Sequence, residues 1–192
     1  MERLVRYRSK VVLATLLLLL LCMGLAAWER LPRLVVNEND TQLKHLNGVL
    51  YFQNKPFRGI VVRYYPNGDH ERETPYDDGK QEGVMKSWYP NHHMEQDRLF
   101  VDGLKQGIHH GWWPNGRQKF EYYFNDDEHN GTAKAWFSDG KPFRVSRYTM
   151  GHEDGLQQQW WPDGTVRANY VVKDGQQYGL IGRKFCKNIY KK

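Results

Sequence analysis

Glycine and aromatic residues recur among polar ones along this chain in a pattern with a period of 24 residues, as from Gly59 to Gly83. Five and six residues after each of the first five repeated glycines come two adjacent aromatic side chains, followed by a turn sequence such as Pro114-Asn115-Gly116. The repeated glycines are Gly59, Gly83, Gly107, Gly131, Gly155 and Gly179. A constant interval of this length predicts tandem structural repeats, and such arrays more often present a surface than enclose one catalytic pocket.

Each repeat contains two short segments rich in β-forming residues. The first segment runs from the glycine to the aromatic pair, and the second ends at an aromatic or apolar residue such as Phe124. Asn-Gly or Asp-Gly between such segments favours a β-hairpin, because glycine adopts positive φ without a Cβ clash. Phe52 lies 24 residues before Tyr76, so a half repeat precedes the five full repeats and another follows them. We therefore expect an all-β fold, an elongated antiparallel β-meander of twelve strands built from 24-residue hairpin repeats.

The first 28 residues predict a targeting segment. Arg3, Arg6, Arg8 and Lys10 precede an apolar run at residues 11–27, which is long for a signal-peptide core and slightly short for a spanning helix. We expect an N-terminal hydrophobic helix at 1–28 that anchors the chain in the membrane through residues 11–28, the alternative being a cleaved signal peptide and secretion. Positive charge before the run places the repeats outside the cytoplasm, in the periplasm or the extracellular space.

The remaining segments follow from the repeat pattern. Residues 29–47 are expected to form a linker, residues 48–186 the repeat domain, and residues 187–192 a basic tail. Cys186 is the only cysteine beyond the targeting segment. We interpret it as a packed thiol in the terminal strand, with a disulfide to a partner as the alternative.

The aromatic pairs form two columns, because adjacent residues of a strand point to opposite faces of a sheet. The first column contains Tyr64, Trp88, Trp112, Trp136 and Trp160. The second column contains Tyr65, Tyr89, Trp113, Phe137 and Trp161. The residue after each glycine, such as Val84 or Ile108, is mostly apolar and shares a face with the first column. We expect the first column to line the inner face and the second to be an exposed ladder, the candidate binding surface, the alternative being that both columns only hold the repeats together.

The histidine pairs His92-His93 and His109-His110 resemble metal ligands. A meander that turns near Gly103, however, places His93 opposite Pro114 and His110 opposite Asp97. The two pairs are then about 13 Å apart along the ladder, too far to share one zinc ion. We expect all four histidines to face solvent and no metal to bind.

The other polar residues predict no catalytic chemistry. Acidic residues such as Asp126-Asp127 recur at the second turn of the repeats, where Asp is a turn former, with weak calcium binding as the alternative. No nucleophile motif or phosphate loop is present, so we expect a non-enzyme without cofactors. The net charge of +6 is concentrated at the two ends of the chain, and without a basic stripe along the repeats no nucleic-acid binding is expected.

These motifs resemble the MORN-repeat variant family, whose bacterial members are often labelled YwqK-like antitoxins. The shared motif is a glycine, four residues, two aromatics, Pro-Asn-Gly and a later aromatic, as from Gly107 through Trp112-Trp113 to Phe124. The resemblance implies β-hairpin repeats at about residues 48–186 and no catalytic residues. It favours a scaffold that binds a protein partner, or an envelope component such as a glycan or lipid. The alternative function is an antitoxin-like inhibitor of a specific toxin.

Overall fold

The computed structural model describes residues 33–182. The predicted N-terminal helix with its membrane segment at 11–28, Cys186 and the basic tail lie outside the described residues. The chain divides into two units, Met1–Leu34 and Val35–Lys192, and every strand belongs to the second. Among residues 33–182, no helix has the length and apolar character needed to cross a membrane.

Residues 33–182 form eighteen β-strands and no helix, so the all-β prediction is confirmed. In chain order they are β1 (Val35–Asn37), β2 (Leu43–Leu46), β3 (Val49–Phe52), β4 (Lys55–Pro56), β5 (Gly59–Tyr64), β6 (His70–Asp77), β7 (Lys80–Gln81), β8 (Gly83–Trp88), β9 (Met94–Val101), β10 (Leu104–Lys105), β11 (Gly107–Trp112), β12 (Gln118–Asn125), β13 (Glu128–His129), β14 (Gly131–Trp136), β15 (Pro142–Thr149), β16 (His152–Trp160), β17 (Val166–Lys173) and β18 (Gln176–Leu180). The number exceeds the expected twelve by six: β1 and β2 precede the first half repeat, and the short strands β4, β7, β10 and β13 each follow a second turn.

The main sheet runs in the order β1-β5-β6-β8-β9-β11-β12-β14-β15-β16-β17-β18, with β7, β10 and β13 paired beside it. From β5 to β18 all neighbours are antiparallel, as a chain of hairpins requires. The expectation of one wholly antiparallel meander is wrong at the N-terminal end, where β1 pairs with β5 in parallel. There β3, expected as the first strand of the meander, instead forms a separate three-stranded sheet with β2 and β4. The physical reason is connectivity: β2, β3 and β4 intervene between β1 and β5, and such a crossover permits parallel pairing.

The second turn of each repeat has the geometry that its residues predict. At Asp102-Gly103 φ is 53° and 85°, and at Asp126-Asp127 it is 48° and 67°. Positive φ at both central residues matches the twist of the flanking strands, and Asp tolerates it better than most side chains. The interpretation of the acidic residues as turn formers is therefore confirmed at these two turns.

A small hydrophobic core lies at the N-terminal end of the repeats. Phe57 and Leu50 are each 2 % exposed and pack with Val36 and Val61. Phe57 also makes an edge contact with Tyr76 at 6.0 Å between ring centroids. Strands β1 and β2, which contribute to this core, lie within residues 29–47, the segment interpreted above as a linker. The first strand pair of the array is thus covered by the segment that precedes it.

The inner face of the sheet is defined by burial of the second residue after each repeat glycine. We number positions within a repeat from the glycine as zero. Position two is buried in all five repeats: Val61, Met85, His109, Ala133 and Gln157. Position one is largely exposed, as at Ile108 (51 %) and Leu156 (45 %). The expectation that position one and the first aromatic column line the inner face is therefore wrong.

The physical reason lies in the neighbouring strand. At position four, the first strand carries a small residue in three of the five repeats: Ser87, Gly111 and Ala135. Large side chains of the second strand lie over them: a Cβ added to Gly111 would come within 2.1 Å of the ring of Phe120. The crowded inner face therefore has room only for small or modest side chains, and the large apolar side chains lie on the outer face. Hydrophobicity alone suggests the opposite assignment of the two faces.

Candidate functional site

A β-bulge shapes the first turn of every repeat. In the central repeat Gly111 pairs with Phe120 and Trp112 with Gln118, so Lys119 is an extra residue on the second strand. The same register shift follows Arg63, Ser87, Ala135 and Gln159. The extra residues, at position twelve, are Glu71, Glu95, Lys119, Phe143 and Arg167. A bulge re-aims the side chains beside it, and here it determines the surroundings of the second aromatic column.

The second aromatic of a repeat hydrogen-bonds to the next repeat. The Tyr65 hydroxyl donates to the carbonyl of Trp88 at 2.7 Å, and the Tyr89 hydroxyl donates to that of Trp112 at 2.9 Å. Trp113 repeats the contact with its indole, whose Nε1 donates to the carbonyl of Trp136 at 3.1 Å. In each case the acceptor is the backbone of a first-column aromatic, so the two columns connect successive repeats.

The rings of the second column are in contact with the bulge residues. Lys119 Nζ lies 4.7 Å from the ring centroid of Trp113, and the guanidinium of Arg167 lies 4.5 Å from that of Trp161. Phe137 packs on Phe143 with ring centroids 5.1 Å apart. Contacts of a cation or a second ring with an aromatic face are favourable in themselves. These rings therefore already have intramolecular partners.

The same surroundings affect the two tyrosines of the column. Burial raises the pKa of Tyr65 and Tyr89, and the carboxylates of Glu71 and Glu95 add to the effect. Of the five predicted site residues, Tyr65, Tyr89, Trp113 and Phe137 are half-buried and Trp161 is exposed (43 %). Three of the five, Tyr65, Tyr89 and Trp113, hydrogen-bond to the next repeat.

A different column is exposed on the outer face. Position one pairs across the hairpin with position sixteen, giving Val84 opposite Leu99, Ile108 opposite Tyr123 and Leu156 opposite Val171. The exposed fractions are 44 % for Val84, 51 % for Ile108, 42 % for Tyr123, 45 % for Leu156 and 42 % for Val171. Thr132 opposite Arg147 interrupts the series. We call the three apolar pairs, Val84–Leu99, Ile108–Tyr123 and Leu156–Val171, the outer apolar column.

Ion pairs lie beside the outer apolar column. Asp97 accepts a hydrogen bond from His110 across the strands at 2.9 Å, and Lys134 pairs with Glu121 at 3.1 Å. The charges of this face are thus partly neutralised within the sheet. The sequence did contain the signal for the outer apolar column, since the apolar character of position one was evident. Only the face it occupies was assigned wrongly.

The histidines divide between the faces. His110 lies opposite Asp97 as predicted, and His93 contacts the carbonyl of Pro114 at 2.7 Å. His109, expected to face solvent, is 1 % exposed because position two points to the inner face. Its Nε2 donates to the carbonyl of Leu99 at 2.9 Å. Within residues 33–182, no three His, Cys, Asp or Glu side chains are grouped closely enough to hold a metal ion.

Burial on the inner face controls the protonation of two histidines. Burial lowers the pKa of His109, with Arg98 and Lys105 adding to the effect against the bond to Leu99. Burial also lowers the pKa of His129, again with a contribution from Lys105. Both imidazoles are therefore held neutral, which suits ring packing: His109 lies 4.7 Å from Phe124, and His129 lies 4.3 Å from the same ring.

Comparison with protein families matches residues 58–78, which span β5, the Pro-Asn-Gly turn and β6, to the MORN repeat variant. The match identifies this hairpin as a MORN repeat variant. The later hairpins continue the MORN-variant pattern at the same period, with the same bulge and type of turn. A search of curated proteins gives no significant match to the chain.

The hydrogen bond from a second-column aromatic to the next repeat predicts how stability changes when its hydroxyl is added or removed. Phe137 is the one member of the second column whose side chain has no polar atom. Phe137→Tyr supplies a hydroxyl where Tyr65 and Tyr89 place theirs, so we expect it to reach the carbonyl of Trp160 and stabilise the fold by about 0.5–1.5 kcal/mol. Tyr89→Phe should destabilise by a similar amount. Urea unfolding of both variants gives the comparison, and a Phe137→Tyr variant less stable than wild type would contradict the prediction.

The buried histidines predict a loss of stability in mild acid. Because their folded pKa is lowered, the unfolded chain binds more protons below its own pKa of about 6.5. Stability should therefore be constant above about pH 7 and decrease as the pH falls from about 6.5 to 5. His109→Gln should reduce this decrease, since Gln157 makes the equivalent backbone bond at position two.

The measurement is urea unfolding at about pH 7.5 and 5.0. His93→Gln, which changes an exposed histidine, is the matched control. Equal pH dependence in wild type and His109→Gln would show that the buried ring contributes nothing to it.

Proposed function

We propose that this chain is a non-catalytic repeat scaffold that binds a protein partner through the outer apolar column, outside the cytoplasm. The observation that carries the proposal is the exposure of apolar side chains at position one in three repeats, together with Tyr123 and Val171 at position sixteen in two of them. With two strands per repeat, successive pairs on one face lie about 10 Å apart. Aligned exposed apolar side chains of this kind are typical of interaction surfaces.

The chemistry of this face favours protein over the other partner classes. Val84, Ile108 and Leu156 offer no hydrogen bonds, whereas a glycan requires many. Two charge pairs beside the column, His110–Asp97 and Lys134–Glu121, are formed within the sheet, which removes part of the attraction to an anionic lipid surface. An apolar strip bordered by polar groups resembles the core and rim of a protein interface.

Aspartate substitutions in the outer apolar column test this surface. A photoreactive residue placed at Ile108 in the full chain should yield a protein adduct in cells. Leu156→Asp, made in the same chain, should reduce that adduct about tenfold or more, as loss of a central apolar contact does. Thr132→Asp is the control, because Thr132 is exposed at the same position of its repeat but polar.

The decisive measurement is the change in adduct yield on Leu156→Asp. An adduct that Leu156→Asp leaves unchanged would overturn the assignment of this surface. Identification of the adduct as a toxin would select the alternative function, an antitoxin-like inhibitor.

The location of the repeats is a separate prediction. Arg3, Arg6, Arg8 and Lys10 before the apolar run support a cytoplasmic N-terminus and repeats on the other side of the membrane. We expect a C-terminal alkaline phosphatase fusion, which is active only outside the cytoplasm, to show activity. The same fusion with these four residues changed to Glu controls for the signal. Activity from a reporter that works only in the cytoplasm would contradict the prediction.

A further inference from the structure

A cleft of about 230 Å³ opens on the inner face between β15, β16 and β17. Its lining includes Arg144, Ser146, Gln157, Gln159, Ala168 and Tyr170, and we call it the Gln157 cleft. Its volume lies below the about 300–1,000 Å³ of clefts that hold drug-sized ligands, so it has room for about one small ring. Because Gln157 and Leu156 are adjacent in one strand, the cleft and the outer apolar column lie on opposite faces.

Gln157 leaves a buried hydrogen-bond acceptor without a partner. Its side chain is 2 % exposed, and its Nε2 donates to the carbonyl of Arg147 at 2.7 Å. His109 makes the equivalent bond to Leu99 two repeats earlier, which accounts for a polar residue at this position. Gln157 also has Oε1, which is buried and accepts no hydrogen bond among the described residues. A buried acceptor in this condition costs about 1–3 kcal/mol unless a donor reaches it.

Ser146 supplies the complementary group. It pairs directly with Gln157 across β15 and β16 and is 1 % exposed. Its Oγ accepts a hydrogen bond from Arg144 Nε at 2.6 Å. Among the described residues its hydroxyl hydrogen has no acceptor, and Ser146 and Gln157 both line the same cleft. A ligand hydroxyl, which both donates and accepts, satisfies the two together.

The cleft carries no uncompensated charge. Arg144 Nη2 donates to Glu153 at 2.8 Å, and the hydroxyl of Tyr170 donates to the other oxygen of that carboxylate at 2.9 Å. The ring of Tyr170 and the methyl group of Ala168 provide an apolar wall. The arrangement suits a neutral molecule with hydroxyls at its edge and an apolar face, which describes a pyranose ring.

We propose that the Gln157 cleft binds a neutral sugar ring, with one ring hydroxyl accepting from Ser146 and donating to Gln157. A water molecule bonded to the same two groups would have no apolar face for Tyr170. At about 30 Å³ per molecule, several waters would be needed to occupy the cleft, and a sugar would displace them together. This binding is independent of the protein partner on the outer face.

The test uses the full chain in a detergent without sugar groups. Saturation-transfer NMR is recorded with glucose, N-acetylglucosamine and glucuronate as separate probes at millimolar concentration. We expect a signal with at least one of the two neutral sugars and a weaker signal with glucuronate, because Arg144 is already paired with Glu153.

Two variants remove the proposed contacts with small changes to the side chains. Gln157→His keeps the backbone bond that His109 makes at the equivalent position but removes Oε1. Ser146→Ala removes the hydroxyl donor. Each should weaken sugar binding about fivefold or more, the effect of losing one hydrogen bond to a buried group. Ser87→Ala is the matched control, since Ser87 is a buried inner-face serine that bonds to Glu95 away from the cleft.

Thermal melts of all three variants show whether each is folded, and binding is compared only among folded ones. The absence of a signal with both neutral sugars would overturn the proposal. So would equal binding by wild type, Gln157→His and Ser146→Ala, or a stronger signal with glucuronate than with either neutral sugar.

Discussion

The structure depends on backbone groups that each repeat leaves for its neighbour. Near the first turn, the carbonyls of Trp88, Trp112 and Trp136 accept hydrogen bonds from aromatic side chains of the preceding repeat. Near the second turn, the carbonyl of Lys105 accepts from the amide of Asp127 at 3.1 Å, and the amides of Gly79, Gly103 and Gly151 make equivalent bonds. A polar group that is buried without a partner costs about 1–3 kcal/mol, so a hairpin of this kind is stable only beside another.

This constraint explains why the most conspicuous residues of the chain are structural. A Tyr or Trp at position six has an apolar ring to pack and a polar tip to donate, and both are used within the array. The ring lies against the bulge residue, as Trp113 does against Lys119, and the tip reaches the next repeat. The chemistry that made the aromatic ladder a candidate for binding a partner is the chemistry that joins one repeat to the next.

The binding surfaces that we propose lie at positions that make no polar contact with the next repeat. Position one makes no contact between repeats through a polar group, so it carries exposed aliphatic residues such as Ile108. Position two faces the interior, where the carbonyls of Leu99 and Arg147 accept side-chain hydrogen bonds. His109 and Gln157 make equivalent bonds to these carbonyls, and Gln157 also has Oε1, the acceptor to which we propose that a sugar hydroxyl donates.

The sequence by itself determined the all-β class, the 24-residue period, the turns and the pairing of His110 with Asp97. These features depend on local turn chemistry and on the number of residues between two turns, and the amino-acid sequence contains both. Only the tertiary structure decided which face is inside. Alternation separates two faces without saying which one is buried, and the answer depends on side chains of the adjacent strand, such as Phe120 over Gly111. The parallel pairing of β1 and the bulge that turns the second aromatic toward the next repeat likewise arise from contacts between segments that no local pattern contains.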